Sequence, residues 1–137
     1  MIPLLLVDDE HDIVNIFKEG LESGGKNNGL AVHAFTDPVM ALENFQKNPQ
    51  GYAMVISDIR MPGMTGFQLV REIKKLNPGI IVILMTAFEM DRSEFAKELV
   101  FAEVHFIQKP IRIPELRDVI LKYLADATML KEGSEKR

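Results

Sequence analysis

Five polar side chains that could act together on a phosphoryl group each follow an apolar run of this chain. Asp8 and Asp9 follow the first run, Asp58 a central one, and Thr86 and Lys109 two later ones. Three carboxylates at close quarters repel one another, so they need a cation to stay ionised together. Oxygen ligands and an incoming phosphate suit Mg²⁺, while a lysine and a hydroxyl can bind phosphoryl oxygens. The set predicts that the Asp58 carboxylate attacks phosphorus in line.

These side chains can meet only if the runs before them are strands of one sheet. Short apolar runs without polar alternation are typical of strands buried on both faces. Strand-like runs and amphipathic helices alternate five times, which favours an α/β fold with a parallel sheet covered on both faces. Right-handed crossovers bring the carboxyl ends of all strands to one edge, where open α/β sheets bind ligands. We therefore expect a single doubly wound (βα)5 domain.

Local signals predict where the helices begin and which faces they bury. Asp37-Pro38 offers an N-cap and a first-turn proline for the second helix, and Thr65-Gly66 starts the third. A weaker, more polar fourth helix is predicted over residues 91 to 100, and the last helix starts near residue 114. The first helix is predicted to bury an apolar stripe made of Ile13, Ile16, Phe17 and Leu21.

Length and composition predict one domain and exclude several kinds of site. The domain is predicted over residues 1–126, and the polar segment 127–137 as a frayed or disordered tail or a truncated linker. The absence of cysteine excludes disulfides, a thiolate nucleophile and zinc–cysteine sites. A net charge of −4 gives no reason to expect direct nucleic acid binding. No apolar run has membrane-spanning length and no signal peptide is evident, so a cytoplasmic protein without a membrane partner is expected.

The order and position of these motifs resemble the receiver domain of two-component response regulators over residues 1 to about 125. The resemblance implies a five-stranded parallel sheet in the order 2-1-3-4-5, which is the flavodoxin-like arrangement of the chemotaxis regulators. The matching residues are Val7-Asp8-Asp9-Glu10, Asp58 with Met61-Pro62-Gly63-Met64-Thr65-Gly66, Thr86-Ala87, Phe106 and Lys109-Pro110.

The same resemblance implies a role for each residue of the site. Asp58 would be the phosphoacceptor, and it would bind Mg²⁺ together with Asp9, the backbone carbonyl of Arg60 and, mainly through water, Asp8. Lys109 would pair with the phosphoryl oxygens, and its peptide bond to Pro110 would be cis. Thr86 would move to hydrogen-bond the phosphoryl group, and Phe106 would turn inward behind it.

The resemblance also implies partners and a limited chemistry. A sensor histidine kinase would supply the phosphoryl group. The phosphorylated chain would bind an effector protein, or a second copy of itself, through the face formed by the fourth helix, the fifth strand and the last helix. The chain would be a signalling phosphoacceptor and not an enzyme, with self-phosphorylation from small donors and slow self-dephosphorylation.

Three departures from the family pattern stand out. The loop from Gly24 to Gly29 is longer than usual, and Phe101-Ala102-Glu103 replaces the usual Gly-Ala before the fifth strand. No second domain follows residue 126, so the chain is expected to act on a separate partner unless its tail is a linker cut short.

Two other functions use the same residues. A Mg²⁺-dependent phosphohydrolase of the haloacid dehalogenase type also has an aspartate nucleophile, but in an Asp-x-Asp after the first strand, where this chain has the adjacent pair Asp8-Asp9. A phosphorylation-independent interaction module would have no need for the complete acidic set.

Overall fold

Each apolar run becomes a strand, and each amphipathic segment in the described part of the chain becomes a helix. The computed structural model describes residues 1–23, 29–87 and 103–135, with side chains described as far as residue 127. Its elements are β1 (Ile2–Val7), α1 (His11–Glu22), β2 (Leu30–Phe35), α2 (Pro38–Lys47), β3 (Met54–Asp58), α3 (Gly66–Leu76), β4 (Ile81–Thr86), β5 (Val104–Gln108) and α4 (Ile113–Glu135).

The five strands form one parallel sheet in the order β2-β1-β3-β4-β5, which confirms the predicted fold. Alternate residues of each strand point to opposite faces, so the sheet has two separate apolar cores. The core on one side includes side chains of α2 and α3, and the core on the other side includes side chains of α1 and α4. Leu5 and Val7 of β1 belong to the first core, and Leu4 and Leu6 belong to the second.

The predicted starts of α2 and α3 are confirmed by their caps. The carboxylate of Asp37 accepts a hydrogen bond from the Val39 N–H at 2.9 Å, with Pro38 in the first turn. Thr65 and Gln68 form a reciprocal capping box, in which each side chain accepts from the backbone N–H of the other. Such caps satisfy N–H groups that a helix start leaves free, and they fix where the chain enters α3 after β3.

The predicted buried stripe of α1 is partly wrong. Val14, Phe17 and Leu21 are the buried residues of this helix, whereas Ile16 is 56% exposed. The spacings of three and four from Val14 to Leu21 define one face of a helix, and Ile16 lies beside that face. Ile13 is only partly buried against the core on this side of the sheet, and both Ile13 and Ile16 line a pocket that also contains Asp58.

The C-terminal segment also differs from its prediction. Helix α4 continues to Glu135, so the backbone of residues 127–135 is helical and is not a frayed tail. A low apolar content argues against burial but not against helix, and this segment contains alanine, leucine, methionine, lysine and glutamate, which favour helix intrinsically. The helix predicted over residues 91 to 100 lies outside the described residues. None of the helices in the described ranges combines the length and hydropathy that a membrane span needs.

Candidate functional site

The sheet brings the predicted polar side chains to one edge. Asp58 is the last residue of β3, Thr86 is the last residue of β4, and Asp8 follows β1 directly. One carboxylate oxygen from each of Asp8, Asp9 and Asp58 lies within 4.8 Å of the others. Three acids that are separated by up to fifty positions in the sequence therefore form a single group of oxygen ligands.

Lys109 lies between two of these acids. Its Nζ atom donates to Asp8 Oδ2 at 2.7 Å and lies 3.7 Å from Asp58 Oδ2. Asp8 is fully buried, and its other oxygen accepts a hydrogen bond from the Glu10 N–H at 3.0 Å. Both carboxylate oxygens of Asp8 thus accept hydrogen bonds from the protein, whereas the Asp9 side chain is exposed to solvent.

The surroundings of Asp58 disfavour its negative charge. Burial raises the pKa of the Asp58 carboxyl above its usual value, and the nearby charges of Asp8 and Asp9 raise it further. The ammonium of Lys109 and a hydrogen bond of 2.9 Å from the Ile59 N–H to Oδ1 act in the opposite direction. The pKa of Asp58 nevertheless remains raised, chiefly because burial disfavours the charged form, and a further positive charge nearby would lower it. A divalent cation among the three carboxylates would supply that charge.

The residues present fit Mg²⁺ by the chemistry of their donors. The group contains only carboxylate oxygens, which are hard ligands, and it opens into a pocket where water can complete an octahedral shell. Arg60 lines the same pocket two residues after Asp58.

The backbone that carries Asp58 is tightly held. Ser57 is fully buried, and its hydroxyl donates to the Asp58 carbonyl oxygen at 2.8 Å. The Ile59 N–H donates to the Met85 carbonyl at 3.1 Å, and the Gly66 N–H donates to the Ile59 carbonyl at 2.8 Å. A Cβ atom at Gly66 would lie 2.9 Å from Ile59 Cα and closer still to the Asp58 carbonyl oxygen, so only glycine fits there without a shift.

A pocket of about 620 Å³ opens beside Asp58. Half of its lining residues are polar, namely Asp9, Glu10, Asp58, Arg60, Thr86 and Lys109, and the other half are apolar. The sequence pattern does not reveal the apolar lining, because three of its members, Ile13, Ile16 and Phe17, fall in the predicted buried stripe of α1. The apolar residues are Ile13, Ile16, Phe17, Ala87, Pro110 and Ile111.

Thr86, Phe106 and the Lys109–Pro110 peptide lie at the neighbouring ends of β4 and β5. Thr86 is buried, and its carbonyl accepts a hydrogen bond from the Lys109 N–H at 2.6 Å. Phe106 is half-buried and packs against the core that includes α2 and α3. The Lys109–Pro110 peptide bond is cis, as the resemblance implied.

Comparisons with known proteins agree with this arrangement. The family model of the response regulator receiver domain matches residues 4–121. Sporulation initiation phosphotransferase F of Bacillus subtilis (strain 168) is 35% identical over 127 residues, covering 88% of this chain and 92% of that protein. Transcriptional regulatory protein ZraR of Escherichia coli (strain K12) is 32% identical over 124 residues, covering 90% of this chain but only 26% of that protein.

Solved structures show the same similarity. The crystal structure of a response regulator receiver domain protein from Clostridium thermocellum superposes with a TM-score of 0.80 and 26% identity. The match covers 95% of this chain and 99% of that one.

Proposed function

The chain belongs to the response regulator receiver domain family, and on this basis we propose that it accepts a phosphoryl group from a sensor histidine kinase on Asp58 and then binds an effector protein or a second copy of itself. Members of this family are signalling modules of phosphorelays and not dedicated enzymes. The observation that carries the proposal is the convergence of Asp8, Asp9 and Asp58 on one another, with the Lys109 ammonium beside Asp58.

The proposed transfer uses Asp58 as the nucleophile. A carboxylate oxygen attacks the phosphorus of a phosphohistidine, a P–O bond forms, and the P–N bond breaks with its electron pair returning to the imidazole. Lys109, whose Nζ lies 3.7 Å from Asp58 Oδ2, is placed to balance the charge of the phosphoryl oxygens.

Asp9, Asp58 and the Arg60 carbonyl would hold Mg²⁺, with Asp8 contributing mainly through water. The bound ion would supply positive charge to the transferring group and favour the ionised form of Asp58. The assignment of Asp8 to an outer position is supported by its two oxygens, which already accept hydrogen bonds from Lys109 and Glu10.

The direct test uses Mg²⁺ and acetyl phosphate with the purified chain. We expect intact-mass spectrometry to show the addition of one phosphoryl group, which disappears when EDTA removes the metal. A chain that gains no mass under these conditions, or from a phosphorylated histidine kinase domain, would contradict the proposal. Sustained release of phosphate from a phosphate monoester would instead favour the hydrolase alternative.

Phosphorylation would change the surface through Thr86, Phe106 and Lys109. It adds about −1.5 to −2 charges and three acceptor oxygens. A full shift of a two-state equilibrium from 1:99 to 99:1 needs about 5.5 kcal/mol, whereas one charge-assisted hydrogen bond from Thr86 supplies about 1.5–3 kcal/mol. Lys109 must therefore contribute, and the unphosphorylated chain must already populate the active form. The responding face is proposed to include β5 and α4, where an effector or a second copy would bind; the predicted fourth helix, which the proposal also assigns to this face, lies outside the described residues.

We expect Thr86→Ala to accept phosphate on Asp58 but to lose most of the response in this face, because the variant lacks the hydroxyl that binds the phosphoryl oxygens. Hydrogen exchange with and without beryllofluoride would measure the response in β5 and α4. Thr36→Ala is a matched control, since Thr36 follows β2 and lies outside the pocket lining. A full response in Thr86→Ala, or changes centred on α1 and α2, would overturn this mechanism.

A further inference from the structure

Ser57 is a fully buried polar residue that follows three buried apolar residues of β3. The other residues of β3 before Asp58 are Met54, Val55 and Ile56, and all are fully buried and apolar. Ser57 is equally buried, and strand alternation places it on the face of Val55, between Val7 of β1 and Leu84 of β4 in the register. A hydroxyl in such surroundings costs free energy unless it is hydrogen-bonded, so its partner is informative.

The partner is the main-chain carbonyl of Asp58, which accepts the hydroxyl hydrogen bond at 2.8 Å. Gly66 at the start of α3 packs against the same carbonyl, and its N–H binds the next carbonyl, that of Ile59. Of these contacts to the carbonyls of Asp58 and Ile59, the hydrogen bond from Ser57 is made by a side chain, and those from Gly66 are made by the backbone. The peptide that joins Asp58 to Ile59 is thus held at its carbonyl by the Ser57 hydroxyl, with Gly66 of α3 packed against that carbonyl, and at its N–H by the Met85 carbonyl of β4.

This peptide governs the geometry of the reacting groups. The Asp58 carboxylate precedes it and the Arg60 carbonyl follows it, so a rotation of the peptide moves both proposed ligands relative to Asp9. Its N–H also binds Asp58 Oδ1, which orients the carboxylate so that Oδ2 lies toward Lys109. Mg²⁺ tolerates little departure from octahedral geometry, and a displacement of about 1 Å can lower a reaction rate about a hundredfold.

We propose that Ser57 is a positioning residue for the phosphoacceptor: its buried hydroxyl holds the Asp58–Ile59 peptide in the orientation that Mg²⁺ binding and phosphoryl transfer require. The inference rests on the proposed function of Asp58, and it assigns to Ser57 a role through the backbone and not a contact with metal or phosphate.

Three substitutions separate this role from packing. Ser57→Cys keeps nearly the same volume but is only a weak hydrogen-bond donor. Ser57→Thr keeps the hydroxyl but adds a methyl group to a filled site, and Ser57→Ala removes the hydroxyl altogether. We expect Ser57→Cys and Ser57→Ala to bind Mg²⁺ about tenfold more weakly than wild type. Losses of about this size are typical when a residue that holds a metal ligand in place is substituted. Ser57→Thr should bind Mg²⁺ normally while its Tm falls.

Two measurements test the inference. Calorimetry gives the Mg²⁺ affinity, and amide exchange of Ile59 in the metal-free protein, expected to be faster in Ser57→Cys, reports the peptide directly. Ile56→Val is the matched control, because it trims the fully buried neighbour of Ser57 in the same strand and should lower Tm without changing either readout. Wild-type Mg²⁺ affinity and Ile59 exchange in Ser57→Cys, or equal losses in Ile56→Val, would overturn the proposal.

A wild-type chain that accepts no phosphate would refute the proposed function, while the Ile59 comparison would still decide the role of Ser57 in holding the peptide.

Discussion

Asp58→Asn is expected to gain no phosphoryl group from acetyl phosphate and Mg²⁺, whereas the wild-type chain gains one. The amide retains the shape of the side chain but lacks the negatively charged oxygen that attacks phosphorus, so the loss should be complete. Intact-mass spectrometry over a time course measures it. Asp12→Asn serves as the control, because Asp12 is an exposed acid in the first turn of α1 that lies outside the group formed by Asp8, Asp9 and Asp58. Full labelling of Asp58→Asn would show that another residue is the acceptor.

Asp58→Asn should also have a higher Tm than wild type at pH 7 in metal-free buffer. The same measurement shows whether the variant is folded. Burial and the neighbouring acids raise the pKa of Asp58 in the folded protein, so ionisation of this group opposes folding. The Asp58 carboxyl group contributes to the stability of the folded protein in full below its pKa in the unfolded chain. This contribution is lost as the pH rises through the raised pKa of the folded protein. The gain in Tm of Asp58→Asn should therefore shrink as the pH is lowered. Thermal unfolding followed by circular dichroism between pH 4 and 8 would measure it, and a lower Tm for the variant at pH 7 would contradict it.

Asp9→Ala is expected to lose Mg²⁺ binding and, with it, phosphorylation. Asp9 is the exposed member of the acidic group, and the proposed site has few protein ligands, so each one matters. A charge-assisted contact worth about 1.5–3 kcal/mol corresponds to a decrease of about 10- to 100-fold in affinity. Calorimetric titration with Mg²⁺ measures the affinity, and acetyl phosphate labelling at a fixed Mg²⁺ concentration measures the consequence.

Asp8→Ala provides the contrast for that experiment. Both oxygens of Asp8 are hydrogen-bonded within the protein, so its removal should affect Mg²⁺ less than the removal of Asp9. It should affect stability more, because the partly buried ammonium of Lys109 loses the closer of its two carboxylate partners. Equal Mg²⁺ affinity in wild type and Asp9→Ala would mean that Asp9 is not the direct ligand.

The parts of this molecule that sequence predicts best are those determined by hydrophobic pattern. Each described strand is a continuous or alternating apolar run, and a parallel sheet necessarily brings the ends of β1, β3, β4 and β5 to one edge. That constraint suffices to bring Asp8, Asp58 and Lys109 together before any distance is known. The caps at Asp37 and Thr65 were equally predictable, since they depend on a few adjacent residues.

The parts that sequence could not predict depend on contacts between distant segments. Nothing local indicates that Lys109 binds Asp8 at 2.7 Å and lies 3.7 Å from Asp58, or that Gly66 packs on the backbone of Asp58. Ile16 was assigned to the core because its spacing allows either of two adjacent helix faces. The sequence does mark Ser57, since it is a lone hydroxyl after three apolar residues of β3, but the acceptor of its hydrogen bond is evident only from the fold.

The contact between Lys109 and Asp8 joins positions 101 residues apart, and this separation has a consequence for biosynthesis. Asp8 leaves the ribosome directly after β1, whereas Lys109 leaves it only after β5. Contacts between such distant positions are costly to close and slow to form. A nascent or partly folded chain thus has its aspartates but not the ammonium that balances them. If Asp58 accepts a phosphoryl group as proposed, we therefore expect the transfer to require a chain in which β5 has already joined the sheet.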